Sequence, residues 1–170
     1  MILKNFCLVP FFLFLAFSAN ADELKNYDNG NEFNVYTGMF DFSDKGKKST
    51  LFGFQHQNEN LNRDTFLGNL SPITGALITG DNAGYIYTGV QAQYKLGVLN
   101  ITPSFTPGLY HEGNGKDLGH LLEFKSEVQI SLNLFKNSEL GFSYNHISNA
   151  SLGDKNPGAN SYMFNFLKNF

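Results

Sequence analysis

The sequence predicts an all-β fold, an antiparallel transmembrane β-barrel of about eight strands. Three observations support this fold class. Apolar residues recur at every second position along several long segments, turn-forming residues separate these segments, and the final segment is rich in aromatic side chains. A period of two residues places successive side chains on opposite faces of a sheet, as a half-buried strand requires.

The first 21 residues differ in composition from the rest of the chain. They contain a single charged residue, Lys4, an apolar stretch that ends at Phe17, and the small-residue triplet Ala19-Asn20-Ala21. This pattern is typical of a secretory signal peptide with its cleavage site. We therefore predict a cleaved signal peptide at 1–21 and an outer-membrane β-barrel at 22–170.

Charge and hydropathy exclude two classes of protein. The formal net charge is −3, and loss of Lys4 with the signal peptide gives −3 − 1 = −4. A nucleic-acid-binding protein would instead carry a clustered basic surface, so we expect no nucleic-acid partner. After residue 21, no apolar run approaches the ~20 residues of a membrane-spanning helix. The only cysteine, Cys7, lies in the predicted signal peptide, so we expect no disulfide.

The clearest strand lies in the range His120–Phe135. Apolar and polar residues alternate along it, and only Ser126 interrupts the apolar side. The range is more than twice as long as an ordinary strand of about five or six residues, as a tilted strand across a membrane requires. On the polar side we expect Glu123, Lys125 and Glu127 to form a network, because about eight strands leave a lumen that side chains fill.

Seven other segments show the same alternation. They are Phe33–Phe42, Thr50–Asn58, Thr65–Thr79, Tyr85–Leu96, Ile101–Tyr110, Leu140–Asn149 and Asn160–Phe170. The breaks between them contain Gly, Asn, Asp and Lys, which favour turns. Eight strands is the smallest even number in bacterial single-chain barrels. Pro72, Pro103 and Pro107 lie inside these segments, where proline is unusual because it has no N–H to donate to a neighbouring strand.

Aromatic residues dominate the last segment, where Tyr162, Phe164, Phe166 and Phe170 lie on one side. A terminal aromatic strand is similar to the C-terminal signal of outer-membrane barrels. The aromatic content of 15% also fits aromatic girdles at the two membrane interfaces. We therefore predict a bacterial outer-membrane location. The alternative is a lipocalin-like soluble barrel, whose apolar residues would face inward around a ligand.

The candidate chemistry lies in residues 142–160. His146 and Ser148 are two residues apart on a predicted strand and share its apolar face with Tyr144. A serine hydroxyl is a poor nucleophile until a base removes its proton, and histidine can act as that base near neutral pH. Asn160 has the same parity as the aromatic side of the last strand. All three side chains are therefore predicted to face lipid near one end of the barrel.

This segment resembles the lipid A 3-O-deacylase (PagL-like) family of outer-membrane esterases. In that family the seventh strand ends in His-x-Ser-Asn, and the eighth follows an Asn-x-Gly turn. The matching residues are His146, Ser148, Asn149 and Ala150 for the first motif, and Asn156 and Gly158 for the turn. The resemblance implies an ester hydrolase that removes a 3-linked fatty-acyl chain from lipid A in lipopolysaccharide.

The resemblance also implies a role for each site residue. His146 corresponds to the general base and Ser148 to the nucleophile. The Asn149 side chain corresponds to an oxyanion donor, and Ser151 stands where the family has a glycine whose backbone N–H is the other donor. The acidic member of the family's triad falls on Asn160, which carries an amide instead of a carboxylate.

The amide at position 160 leaves three interpretations open. Asn160 could orient His146 through its carbonyl oxygen, as the asparagine of Cys-His-Asn proteases does. Asp154, in the loop between the last two strands, could take the place of the acid. Alternatively, the protein is a non-catalytic structural or adhesive barrel that has lost its acid. The sequence alone does not decide between them.

Partners and cofactors follow from the same comparison. The resemblance implies lipid A of lipopolysaccharide and outer-membrane lipid as partners, and a homodimer stays an open alternative. His56, His111 and His120 have no cysteine or carboxylate cluster at the spacing of a metal site. We therefore expect no metal and no other cofactor.

Overall fold

The computed structural model describes residues 31–170, so the predicted signal peptide and the start of the mature chain lie outside the described part. The strands are β1 (Asn31–Phe40), β2 (Ser49–Asn58), β3 (Arg63–Thr65), β4 (Gly68–Thr79), β5 (Gly84–Ala92), β6 (Tyr94–Leu96), β7 (Leu99–His111), β8 (Leu122–Phe135), β9 (Ser138–Ser148) and β10 (Ala159–Asn169). One turn of 3-10 helix covers Glu59–Leu61. No helix in the described residues is long and apolar enough to cross a membrane.

Eight long strands form a closed antiparallel barrel. Successive long strands pair with each other, and β2 pairs directly with β4. The barrel closes where β1 pairs with β10, from Glu32 opposite Asn169 to Met39 opposite Tyr162. The short strands β3 and β6 extend two hairpins beyond the barrel wall. The predicted fold class and number of barrel strands are confirmed.

Of the three prolines inside the predicted strands, two lie at interruptions of a strand ladder. On the β5 side of β7, pairing stops between Ile101 and Ser104 and again between Phe105 and Gly108. Pro103 and Pro107 fall in these two gaps. Because proline has no N–H to donate, gaps of this kind are where a strand can accept it.

The barrel wall has a polar inner face and an apolar outer face. On β8, Glu123 and Gln129 are buried in the interior, whereas Ile130 and Leu132 are about half exposed on the outside. A lipocalin-like barrel would have the reverse arrangement. The alternation predicted from the sequence is therefore confirmed, and the soluble alternative is wrong.

Side chains fill the lumen. Lys125 Nζ lies 2.9 Å from Glu127 Oε2 and 4.0 Å from the centroid of the Tyr87 ring. The predicted network is formed by this ion pair but does not include the Glu123 side chain, whose two oxygens have no hydrogen-bond partner among the described residues. The lumen is a packed interior, as expected for eight strands.

Four loops lie at the end of the barrel opposite Asn31 and Phe170; we refer to it as the loop end. They follow β1, β4, β7 and β9 in the chain. Lys116 Nζ lies 2.6 Å from Asp41 Oδ2, and Lys47 Nζ donates to the Gly115 carbonyl at 3.1 Å. These contacts join the loop after β1 to the loop after β7. Strand β9 ends and β10 begins at this loop end, which is where the candidate site lies.

Candidate active site

His146 and Asn160 are cross-strand neighbours on the outer face of the barrel. They are paired in the register of β9 and β10. The Nδ1 atom of His146 lies 2.8 Å from Asn160 Oδ1, and the hydroxyl of Tyr144 donates to the same oxygen at 2.8 Å. A carbonyl oxygen only accepts hydrogen bonds, so His146 must carry its proton on Nδ1 to make this contact. The other ring nitrogen, Nε2, is then free to accept a proton.

Ser148 lies on the same face as His146, two residues closer to the loop end. Two residues along a strand span about 6.6 Å between Cα atoms, so the two side chains are neighbours without being forced into contact. In the register of β8 and β9, Ser148 is opposite Phe124. No hydrogen bond joins Ser148 Oγ to His146 within residues 31–170.

A second serine lies beside His146 on the other side. Ser126, the one interruption of the apolar face of β8, is opposite His146 in the register of β8 and β9. Ser126, His146 and Asn160 therefore form a polar row across three strands of an otherwise apolar surface. The interruption at Ser126 is visible in the sequence, but its position beside the histidine depends on the register between β8 and β9, which the sequence does not give.

Gly158 packs against the imidazole ring of His146. It has a φ of +62°, and a Cβ atom there would lie 2.8 Å from His146 Cε1 and 3.2 Å from Nε2. Only a residue without a side chain can approach the imidazole so closely in this conformation. The Asn-x-Gly turn that the sequence revealed thus has a direct packing role against the general-base candidate.

Asn149 lies on the opposite face from His146 and is completely buried. Its Nδ2 donates to the carbonyls of Leu118 at 2.9 Å and Lys155 at 2.8 Å. Its Oδ1 accepts the backbone N–H of Ser151 at 2.9 Å. Both groups that the sequence suggested as oxyanion donors are therefore engaged within the protein, and their oxyanion role stays a prediction.

The turn after β9 holds two successive residues in the left-handed region. Ala150 has a φ of +52° and Ser151 a φ of +66°. This region favours glycine, which is the residue that the resemblance implies at the position of Ser151. These two strained residues begin two positions after Ser148, the nucleophile candidate, and strained backbone of this kind clusters at functional sites.

The loop between β9 and β10 is fixed from both sides. Asn156 Oδ1 accepts the backbone N–H of Asn149 at 3.1 Å. Lys155 forms an ion pair with Asp117 in the loop after β7. The hydrogen bond from Lys155 lowers the pKa of the Asp117 carboxyl below its ordinary value. The loop that carries Gly158 is therefore anchored to its neighbour.

Asp154 lies in the same loop but apart from the histidine. Its side chain is exposed, and none of its atoms is hydrogen-bonded to His146 in the part of the chain that the structure describes. Asn160, by contrast, contacts His146 Nδ1 directly. Of the two candidates for the orienting group, the geometry favours Asn160.

Two residues near Asn160 were not singled out from the sequence. Asn160 Nδ2 donates to Ser43 Oγ at 3.2 Å, and the Asn160 backbone N–H donates to Asp41 Oδ1 at 3.4 Å. Both residues belong to the loop after β1 and lie more than a hundred positions away in the chain. The pairing of the first strand with the last brings them to the site.

Aromatic rings surround the polar row on its outer side. The centroid of Phe42 lies 6.2 Å from that of Tyr144 and 5.5 Å from that of Tyr162. Phe142 stacks on Tyr162 at 6.1 Å. The site is thus a small polar region bordered by aromatic side chains.

Comparison with known proteins identifies the family. The sequence model of the lipid A 3-O-deacylase (PagL) family matches residues 30–169. The chain belongs to this family. No curated protein sequence matches the chain. The PagL family places the protein in the bacterial outer membrane, as the sequence predicted, and makes it a lipid A deacylase-like barrel.

Solved structures share the fold of this PagL-family barrel. The crystal structure of the outer membrane enzyme PagL has a TM-score of 0.60 at 16% identity, covering 81% of this chain and 98% of that one. A de novo designed transmembrane β-barrel has a TM-score of 0.54 at 10% identity, covering 84% and 96%. Neisserial surface protein A has a TM-score of 0.52 at 10% identity, covering 83% and 96%. These likenesses concern the fold.

Proposed function

We propose that this protein hydrolyses the 3-linked fatty-acyl ester of lipid A in lipopolysaccharide by a Ser-His mechanism. The observation that carries the proposal is the hydrogen bond between His146 Nδ1 and Asn160 Oδ1. It supports the neutral tautomer in which Nε2 can accept a proton, on the face that Ser148 shares. Membership of the lipid A 3-O-deacylase family gives the substrate class.

Ser148 is the nucleophile in this proposal, and His146 is the general base. The reaction requires a rotation of the Ser148 side chain that brings Oγ within hydrogen-bond distance of Nε2 while His146 Nδ1 stays bonded to Asn160. Oγ then attacks the ester carbonyl while Nε2 takes its proton, and the sugar hydroxyl leaves with that proton from the imidazolium. A water molecule, activated by the same nitrogen, releases the fatty acid and restores Ser148.

Asn149 and Ser151 stabilise the oxyanion in the proposed reaction. An oxyanion needs N–H donors about 2.7–3.1 Å away. In the structure these N–H groups bind Leu118, Lys155 and the Asn149 side chain, so substrate binding must open at least one of these contacts. The left-handed conformation of Ser151 stores strain that favours such a local rearrangement.

The position of the site suits an ester near a lipid headgroup. Polar side chains on the lipid-facing surface of a barrel are costly and usually functional. Longer loops of outer-membrane barrels lie outside the cell and short turns lie in the periplasm. The loop end is then the outer end, and the polar row lies at the depth of the outer leaflet, where lipid A resides.

Mass spectrometry of lipid A from cells with and without the protein tests the proposal. We expect loss of one 3-linked acyl chain with the wild-type protein and no loss with Ser148→Ala. Ser126→Ala is the matched control, because it removes a serine on the other side of the same histidine. Loss of activity with Ser126→Ala and retention with Ser148→Ala would make Ser126 the nucleophile.

The alternative function is a non-catalytic structural or adhesive barrel. The amide at Asn160 favours it, because replacing the acid of a serine triad by its amide lowers kcat by about 10⁴ in a well-studied protease. Unchanged lipid A in cells that carry correctly assembled wild-type protein would support this alternative. Heat-modifiable migration of the barrel in electrophoresis establishes the assembly.

A further inference from the structure

The Asn160 amide can bind His146 in two orientations with opposite consequences. With Oδ1 toward the histidine, Nδ1 carries the proton and Nε2 can act as a base. With Nδ2 toward the histidine, Nδ1 must accept, and the proton moves to Nε2. The second orientation blocks the proposed reaction, whereas a carboxylate would permit only the first. An amide in this position therefore needs a further group to select its orientation.

Tyr144 does not make this selection. Its hydroxyl donates to Asn160 Oδ1 at 2.8 Å. A phenol can donate or accept, so it could equally accept a hydrogen bond from Nδ2 after a rotation of the amide. The selecting group must lie on the other side of Asn160.

Ser43 and Asp41 lie on that side. The Ser43 hydroxyl donates to Asp41 Oδ1 at 3.3 Å, and Asn160 Nδ2 donates to Ser43 Oγ at 3.2 Å. A carboxylate has no hydrogen to donate, so the Ser43 proton is directed to Asp41. Ser43 Oγ can then only accept a hydrogen bond from Asn160, and only the Nδ2 end of the amide can donate one.

Asp41 is held as a fixed, charged acceptor. It is completely buried, and Lys116 Nζ lies 2.6 Å from its Oδ2. Its Oδ1 also accepts the backbone N–H of Asn160 at 3.4 Å, and the Asn160 carbonyl accepts the N–H of Phe42 at 3.0 Å. The backbone of Asn160 is thereby locked to the loop that carries the carboxylate.

We infer that Asp41, acting through Ser43, fixes the Asn160 amide with its oxygen toward His146 and so holds His146 as the Nδ1–H tautomer. Neither residue touches the imidazole; both are positioning residues. The inference rests on the proposed function for its catalytic meaning, but the hydrogen-bond chain exists without substrate. The Asp41 carboxylate thereby contributes to the site, although Asn160 carries an amide where the resemblance implies an acid.

The tautomer of His146 is the decisive measurement. The full-length protein is purified in detergent micelles with ¹⁵N-labelled histidine, and the His146 signals are assigned with a His146→Ala variant. At a pH where the imidazole is neutral, ¹⁵N spectra distinguish Nδ1–H from Nε2–H. We expect the Nδ1–H form in the wild type and a mixture of tautomers in Ser43→Ala. Ser43→Thr, which keeps the hydroxyl, should restore the Nδ1–H form.

A double variant isolates the amide as the reason. In Asn160→Asp the side chain has no N–H, so His146 should stay in the Nδ1–H form whether or not Ser43 is changed to Ala. Ser49→Ala is the control, since it removes a hydroxyl at the start of β2, next to the other end of the same loop. Ser43 is exposed, and heat-modifiable migration checks that each variant assembles.

Activity separates this inference from the proposed function. If the wild type deacylates lipid A, Ser43→Ala should lower kcat about twofold or more with KM unchanged, in proportion to the lost tautomer. If Ser43→Ala shifts the tautomer but no variant deacylates lipid A, the inference about the hydrogen-bond chain is supported and the proposed esterase function is wrong. An Nδ1–H signal that Ser43→Ala leaves unchanged overturns the inference, whatever the activity.

Discussion

The Oδ1 atom of Asn160 accepts a hydrogen bond from the Nδ1 atom of His146, 2.8 Å away, in the place where the resemblance to the family implies an acid. An amide oxygen can orient an imidazole, but it stabilises the imidazolium formed during catalysis far less than a carboxylate does. Only the His146–Asn160 part of the proposed triad is therefore present, with an amide as its weaker third member, and no hydrogen bond joins Ser148 Oγ to His146 within residues 31–170. This relationship determines most of the expected effects of substitution.

Asn160→Glu should raise the rate of lipid A deacylation. A carboxylate at this position accepts the hydrogen bond from Nδ1–H and stabilises the imidazolium, and an acid contributes up to ~10⁴ to kcat in a serine triad. The measurement is the initial rate of fatty-acid release from lipid A in micelles. Asn160→Ala should be slower than wild type. A Glu variant no faster than the Ala variant would contradict a triad role for this position.

Asp154→Asn should leave the deacylation rate unchanged. Its side chain is exposed in the loop between β9 and β10, and Asn160 already occupies the Nδ1 side of His146. The same assay of fatty-acid release measures the effect. A complete loss of activity in Asp154→Asn, together with wild-type activity in Asn160→Ala, would instead make Asp154 the orienting acid.

Gly158→Ala should lower activity more than an equally strained substitution elsewhere. Its Cβ would lie 2.8 Å from the His146 ring, so the imidazole must shift from the position in which it contacts Asn160. Gly97→Ala is a matched control, because Gly97 has the same φ of +62° and nothing within 4 Å of a Cβ. Backbone strain of roughly 1 kcal/mol is common to both variants, so equal activities would show that contact with His146 is unimportant.

Cysteines on β8 should react according to their face. Val128 and Ile130 point outward, and Gln129 lies buried in the lumen. In outer membranes, a lipid-soluble thiol reagent should label Val128→Cys and Ile130→Cys but not Gln129→Cys. Since Cys7 lies in the predicted signal peptide, the mature background is expected to contain no thiol. Labelling of Gln129→Cys alone would reverse the assignment of faces.

The faces of the barrel wall could be predicted because a two-residue period is local information. The alternation along β8 and β9 was enough to put Gln129 inside and His146 and Ser148 outside. The contacts of the Asn149 side chain were harder to foresee. Its face follows from the same alternation, but its hydrogen bonds to Leu118, Lys155 and Ser151 depend on the arrangement of two loops, which a motif of residue types does not describe.

The contribution of the loop after β1 could not be read from the sequence. Asp41 and Asn160 are 119 positions apart, and only the register between the first and last strands brings them together. Nothing local to Ser43 distinguishes it from other polar loop residues. Ser126 illustrates the same limit, since its place beside His146 depends on the pairing of β8 with β9.

The seam between β1 and β10 also decides when the site comes into existence. Asp41 and Ser43 are attached to the first strand, whereas His146 and Asn160 belong to the last two. These groups meet only when β1 pairs with β10 and the barrel closes. A newly exported chain on its way across the periplasm consequently lacks the complete constellation, and the proposed esterase activity should begin only in the closed barrel.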